Sequence, residues 1–255
     1  MTIWRMRKSL ADPKLSMYLK LVVPTTRTYV LALIGIVGLM IYLLNSMLWR
    51  VDHFNTLSPG ITKNLQEMIG TNGIFAVFAS MYYFFIFATN LALVIISAYF
   101  APYYGKHKTS PWLYIVGIYL VWFVDMIFYV IYPVAPPIRY NSGVVRIRQN
   151  YMPWSDTLIG MKYNAFPSGH IMYLTCGLYI GMREKIKKLE LWYLINLILT
   201  SFVVLYLGEH YIHDLVSGFI VALSIMGIFI PYAEMKGFLA LPKEVLEICG
   251  QDYMR

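Results

Sequence analysis

Six apolar runs divide the chain, over about residues 28–48, 73–100, 111–132, 168–182, 191–207 and 212–232. A helix rises 1.5 Å per residue, so about 20 apolar residues cross the roughly 30 Å of a bilayer's hydrocarbon. The pattern therefore predicts six transmembrane helices packed in one all-α bundle. The second run is long enough to tilt. The third is interrupted only by Asp125, and the fourth is short and closes at Arg183-Glu184-Lys185. There is no internal repeat and no low-complexity segment.

Two further segments are amphipathic rather than apolar. Over residues 61–69, Ile61, Leu65, Met68 and Ile69 recur at helical spacing among Lys63, Asn64, Gln66 and Glu67. Such a helix suits the outer surface of a membrane. The basic stretch 4–20, with Leu, Met and Tyr between its charges, suits the inner surface in the same way. An ordinary solvated connector is the plain alternative for both.

Composition agrees with a membrane domain. Of 255 residues, 59% are hydrophobic and 13% charged, against about 25% charged in a soluble domain. The net charge of +8 does not point to nucleic acid, because the basic residues flank the apolar runs in short clusters. Counted by side, fifteen Lys and Arg lie on the face shared by both termini and six on the other. Positive charge favours the cytoplasm, so both termini are expected inside. Arg183, Lys185, Lys187 and Lys188 belong to that signal, and most of the 22 Tyr and 6 Trp suit the interfacial belts.

The expected organisation is a cytoplasmic basic interfacial segment at 1–27, a membrane domain at 28–232 and a cytoplasmic tail at 233–255. The first 27 residues lack a continuous apolar core and do not read as a cleavable signal. Cys176 and Cys249 support neither a disulfide framework nor a cysteine metal site.

Residues able to do chemistry gather at the outer ends of the predicted spans. Residues 132–139 read Tyr-Pro-Val-Ala-Pro-Pro-Ile-Arg, 162–170 read Lys-Tyr-Asn-Ala-Phe-Pro-Ser-Gly-His, and 208–214 read Gly-Glu-His-Tyr-Ile-His-Asp. His210 and Asp214 are four apart and would share a helix face. A carboxylate there can accept an imidazole N–H, fix its tautomer and favour the cation formed when the other nitrogen attacks. That suits a histidine nucleophile. His170 stands at the start of the fourth run, where free N–H groups and the positive dipole end favour a phosphate oxygen. It can act there as general acid or base. Ser168 adds a hydroxyl donor, and Arg139 a planar fork suited to phosphate.

The segments 164–170 and 210–214 resemble the second and third signature motifs of the type 2 phosphatidic acid phosphatase superfamily. Pro136-Pro137-Ile138-Arg139 stands where the first motif ends. The resemblance covers roughly residues 111–232, and the wording is most similar to the branch of inositol phosphorylceramide and sphingomyelin synthases. It implies a metal-independent lipid phosphatase or phosphotransferase with no cofactor, its site at the outer leaflet. His210 would form a phosphohistidine, oriented by Asp214. His170 would protonate the leaving alcohol and then activate water or an acceptor alcohol. Ser168, the Gly169 N–H and Arg139 would hold phosphate oxygens. Two cations of the family pattern are replaced here by Tyr132 and Val204, for which Lys162, Arg146 or Arg148 are the available substitutes.

Other readings stay open on the sequence. His210, His213, Asp214 and His170 could together hold zinc, although His213 is better read as a local hydrogen-bonding residue. Asp125 is expected to face the bundle interior, bonded to a Tyr or a carbonyl rather than relaying protons. Glu209 is expected to point away from His210, with a substrate headgroup as its conceivable partner. A non-catalytic lipid-binding or transport protein on the same scaffold is the rival of another class. The expected partners are the bilayer and a lipid phosphate. No nucleic acid is expected, and a homo-oligomer is left open.

Overall fold

A computed structural model describes residues 60–139, 143–155 and 164–240, together with positions 13, 14, 16, 17 and 247. The predicted span 28–48, Lys162, and all but a few positions of the basic stretch 4–20 and of the tail beyond 240 lie outside the described residues.

Among the described residues, seven α-helices follow in chain order: α1 (Gly60–Ile69), α2 (Ile74–Tyr104), α3 (Pro111–Ile131), α4 (Ile147–Tyr151), α5 (Gly169–Glu184), α6 (Lys187–Leu207) and α7 (Ile212–Met235). A 3-10 turn, Pro137–Arg139, lies between α3 and α4. Among the described residues, α3, α6 and α7 are long and apolar enough to cross a membrane. The count rises to four if α2, bent by 45° between its halves Ile74–Phe85 and Thr89–Tyr104, is one span. At 16 residues, α5 is shorter than the roughly 20 that a full crossing takes. The apolar runs from 73 onward thus mark the helices within a few residues, and three or four of those helices are long and apolar enough to cross a membrane. The first predicted span lies outside the described residues.

The shortest of these long helices is also the most enclosed. Met172, Leu174, Cys176 and Ile180 of α5 are buried among Leu113 and Tyr114 of α3, Tyr193 of α6 and Met226 of α7. Polar pairs tie α2 to α6 within this apolar packing. Tyr82 Oη donates to Asn196 Oδ1 at 3.1 Å and lies 3.1 Å from Thr200 Oγ1, and Ser97 Oγ is 2.9 Å from Tyr193 Oη. Asp125 is buried in α3 and hydrogen-bonded to Tyr129, the structural role expected for it.

Segment 61–69 forms the expected helix, and polar residues dock it alongside Leu65 and Ile69, which pack against the core. Thr62 and Gln66 are buried, while Ile61 and Met68 are exposed. The Gln66 amide donates to the carbonyls of Val145 and Tyr206, and its oxygen accepts the Val145 N–H. A buried amide with three partners can fasten a loop where apolar contact alone would slide.

At the end of α5 opposite its histidine, Glu184 is fully buried and organises the 105–109 turn. Its carboxylate accepts the N–H groups of His107, Lys108 and Thr109 and the hydroxyl of Tyr114, the last at 2.7 Å. Glu184→Gln places an NH2 group against these donors. The loss expected is about 1–3 kcal/mol, the cost of leaving buried donors unpaired. Thermal unfolding in detergent measures it, and an unchanged midpoint would show that this cradle carries no stability.

Candidate active site

Irregular backbone near the starts of α5 and α7 is knitted together by its own hydrogen bonds. The Ala165 N–H bonds the Val134 carbonyl at 3.0 Å, within an isolated parallel bridge between Val134 and Asn164. The Ser168 N–H bonds the Asp214 carbonyl, and the Ile138 N–H bonds the Gly208 carbonyl, each at 3.0 Å. Three segments far apart in the chain are fixed to one another by these bonds. Gly208 ends α6 in the left-handed region at φ 73°, and a Cβ there would come within 2.7 Å of Ile138. At Gly218 of α7 a Cβ would meet the Ser168 carbonyl at 2.7 Å, so only glycine lets α7 press this close to the turn before α5.

The result brings the two imidazoles into contact. His170 Nδ1 lies 3.2 Å from His210 Nε2, with ring centroids 5.3 Å apart and planes at 76°. His210 Nδ1 lies 2.8 Å from the carbonyl oxygen of Ala165. A carbonyl only accepts, so Nδ1 carries the proton and Nε2 presents a lone pair toward His170. Two imidazoles facing at this distance repel each other when both are cationic.

Asp214 departs from the expected geometry. His210 lies outside α7, which starts at Ile212, so the shared-face spacing does not apply. Asp214 is the third residue of α7, and its Oδ2 accepts the Tyr211 N–H at 2.7 Å in a capping box. It stands 3.5 Å from His210 Nδ1, while Oδ1 is 3.1 Å from His213 Nε2. The Ala165 carbonyl therefore takes the imidazole N–H, and Asp214, fully buried, supplies charge beside it.

Ser168 precedes α5 without capping it by its side chain. Its hydroxyl oxygen is buried and has no hydrogen-bond partner among the described residues. Gly169 opens the helix against Asp125 and Tyr129 of α3. Arg139 sits in the 3-10 turn that Ile138 fastens to Gly208, two residues before His210. Arg146 Nε donates to the Ile138 carbonyl at 3.1 Å. Lys162 falls outside the described residues.

Glu209 does not reach outward for a headgroup. It is buried and paired with Arg148 of α4, Nε to Oε1 at 2.6 Å. Nothing in the sequence marks Tyr83, whose ring lies 4.9 Å from that of His170, or the Ala165 carbonyl. Neither has a motif to announce it. A narrow cleft beside His170 is lined by Tyr82, Tyr83, Asn90, Thr200 and Val204, among others. No group of three or more His, Cys, Asp and Glu among the described residues is arranged to hold a metal ion.

This arrangement supplies a nitrogen lone pair, a proton donor facing it, a fixed counter-charge and a helix start carrying an uncommitted hydroxyl. Such a set can move a phosphoryl group. The sequence matches the model of the PAP2 superfamily over residues 46–228. No match is found among curated proteins or among solved structures. The family match spans well over half of the chain and holds both histidine motifs, and the chain belongs to the PAP2 superfamily, whose members are generally phosphatases or phosphotransferases.

Proposed function

We propose that the protein is a membrane-embedded lipid phosphatase or phosphotransferase that works through a phosphohistidine on His210. The observation that carries this reading is the 3.2 Å approach of His170 Nδ1 to His210 Nε2, with His210 Nδ1 committed to the Ala165 carbonyl. In the first step Nε2 attacks phosphorus, the bond from phosphorus to the leaving alcohol breaks, and His170 gives that oxygen its proton. In the second, His170 takes a proton from water or an alcohol. That oxygen attacks the same phosphorus and the bond to Nε2 breaks. A phosphorus entering between the rings must first part them, so binding opens the contact. The Ser168 hydroxyl, the Gly169 N–H at the start of α5 and the Arg139 guanidinium are the groups for the phosphate oxygens, where charge builds during transfer. The substrates in view are phosphatidic acid-like lipids and polyprenyl phosphates or diphosphates.

A second reading is transfer to a lipid alcohol, the outcome that the synthase-like wording of residues 132–139 and 208–214 implies.

We place the site at the outer face of a six-helix membrane domain with both termini in the cytoplasm. The distribution of Lys and Arg supports this.

His210→Ala is expected to abolish turnover of lipid phosphates, read by mass spectrometry of a substrate panel with and without alcohols. Full activity in that variant would remove the phosphohistidine mechanism. Orthovanadate should inhibit and EDTA should not, whereas loss of activity in EDTA would point to metal. Asp214→Asn keeps the Ala165 hydrogen bond but removes the charge, and a loss in kcat of about 10²-fold is expected, as for other single electrostatic groups. Ser168→Ala removes a buried hydroxyl that has no partner among the described residues. Its thermal midpoint should hold or rise, while KM for the lipid phosphate increases.

Sidedness is open to labelling in a Cys249→Ser background, since Cys176 is buried. A membrane-impermeant maleimide should reach Val145→Cys, 38% exposed, in intact cells. It should reach Lys187→Cys, whose native side chain is 83% exposed, only after permeabilisation. The reverse pattern would invert the topology.

A further inference from the structure

Arg148 belongs to no motif, yet it is among the largest fully buried side chains described, at 1% exposure. Its Nε donates to Glu209 Oε1 at 2.6 Å and its Nη1 to Ser155 Oγ at 2.5 Å, and Ser155 Oγ in turn donates to the Met152 carbonyl. The guanidinium also stacks on Tyr83, 5.1 Å from the ring centroid. Two of these partners, Glu209 and Tyr83, each lead to one histidine. Glu209 is bonded in sequence to His210, and the other side of the contact chain runs from Tyr83 to the His170 ring, 4.9 Å away. One cation thus touches both imidazoles through single intermediates, from α6–α7 on one side and from α2 on the other.

A buried ion pair is a poor way to gain stability. Withdrawing both charges from water costs several kcal/mol per ion, and apolar replacements of similar volume often do as well or better. What a guanidinium does supply is direction: a rigid planar fork that fixes the angle between its partners. Nucleophile and acid must keep their relative placement, and a shift of about 1 Å can cost about 10²-fold in rate. The segment leading into α4 is itself pinned, since the Gln66 side chain of α1 hydrogen-bonds both the carbonyl and the N–H of Val145.

We propose that Arg148, through Glu209 and Tyr83, is a positioning residue that sets the mutual orientation of His210 and His170. The inference rests on the phosphotransfer reading for its catalytic consequence, though the orientation itself can be observed without turnover.

The test compares full-length wild type, Arg148→Lys and the double variant Arg148→Met with Glu209→Gln. The double variant leaves no uncompensated buried charge and so is the one expected to fold. Arg148→Lys keeps the charge without the fork and stands in if the double variant does not fold. Expected for the double variant is a loss in kcat of about 10²-fold, with KM within about threefold and a displaced pH profile of kcat. Arg148→Lys should lose about tenfold in kcat. A folded variant whose kcat and pH profile match wild type would overturn the proposal, because a tie that serves stability alone moves neither. Ring-nitrogen NMR of 15N-histidine protein supplies the readout independent of activity. The His170 and His210 signals should shift in both variants, and unchanged signals in either would overturn the proposal. Should wild type turn over no lipid phosphate at all, the phosphotransfer reading fails, while the ring-nitrogen signals still decide whether Arg148 holds the pair.

Discussion

A lipid bilayer offers no hydrogen bonds, so every backbone N–H and C=O at its depth has to be satisfied within the protein. That constraint shapes the whole molecule. It forces the apolar runs into helices and confines irregular backbone to their ends. There the loops satisfy one another, Ala165 with Val134, Ser168 with Asp214 and Ile138 with Gly208. The site is a consequence of this knitting. His170 and His210 meet because the backbone segments that carry them are each other's hydrogen-bond partners.

The same logic explains why a main-chain carbonyl, rather than the nearby carboxylate, receives the His210 N–H. Asp214 has a prior engagement at the start of α7, where it caps the Tyr211 N–H. A helix N-terminus leaves donors that need an acceptor, and a carboxylate at the third position is well placed to serve. The loop 164–168, drawn in by its bonds to Val134 and Asp214, brings the Ala165 carbonyl within 2.8 Å of the ring. Orientation and charge, which the spacing of His210 and Asp214 suggests are supplied by one residue, are divided between two.

The two ends of α5 show contrasting uses of buried polar groups. At Glu184 a carboxylate is saturated by three backbone N–H groups and a phenol, which makes a closed structural joint. At Ser168 the hydroxyl is buried with no partner among the described residues, a vacancy in hydrogen bonding of the sort that a ligand oxygen can fill. One helix is thus anchored at one end and left receptive at the other.

Much of this protein is written locally in its sequence. The apolar runs mark α2, α3, α5, α6 and α7 within a few residues, because helix formation in hydrocarbon depends on the run itself. The motifs at 164–170 and 208–214 name His170, His210, Asp214 and Ser168, because residue type limits the chemistry. Other features are set by which surfaces meet, and no local pattern encodes that. The burial of Gln66 and Thr62 in a helix that reads as surface-bound is one. The choice of the Ala165 carbonyl over Asp214 is another, and the pairing of Glu209 with Arg148, 61 positions away, is a third. Each depends on contacts between segments distant in the chain. Periodicity and spacing report what a segment can do alone, and only packing decides which partner satisfies it.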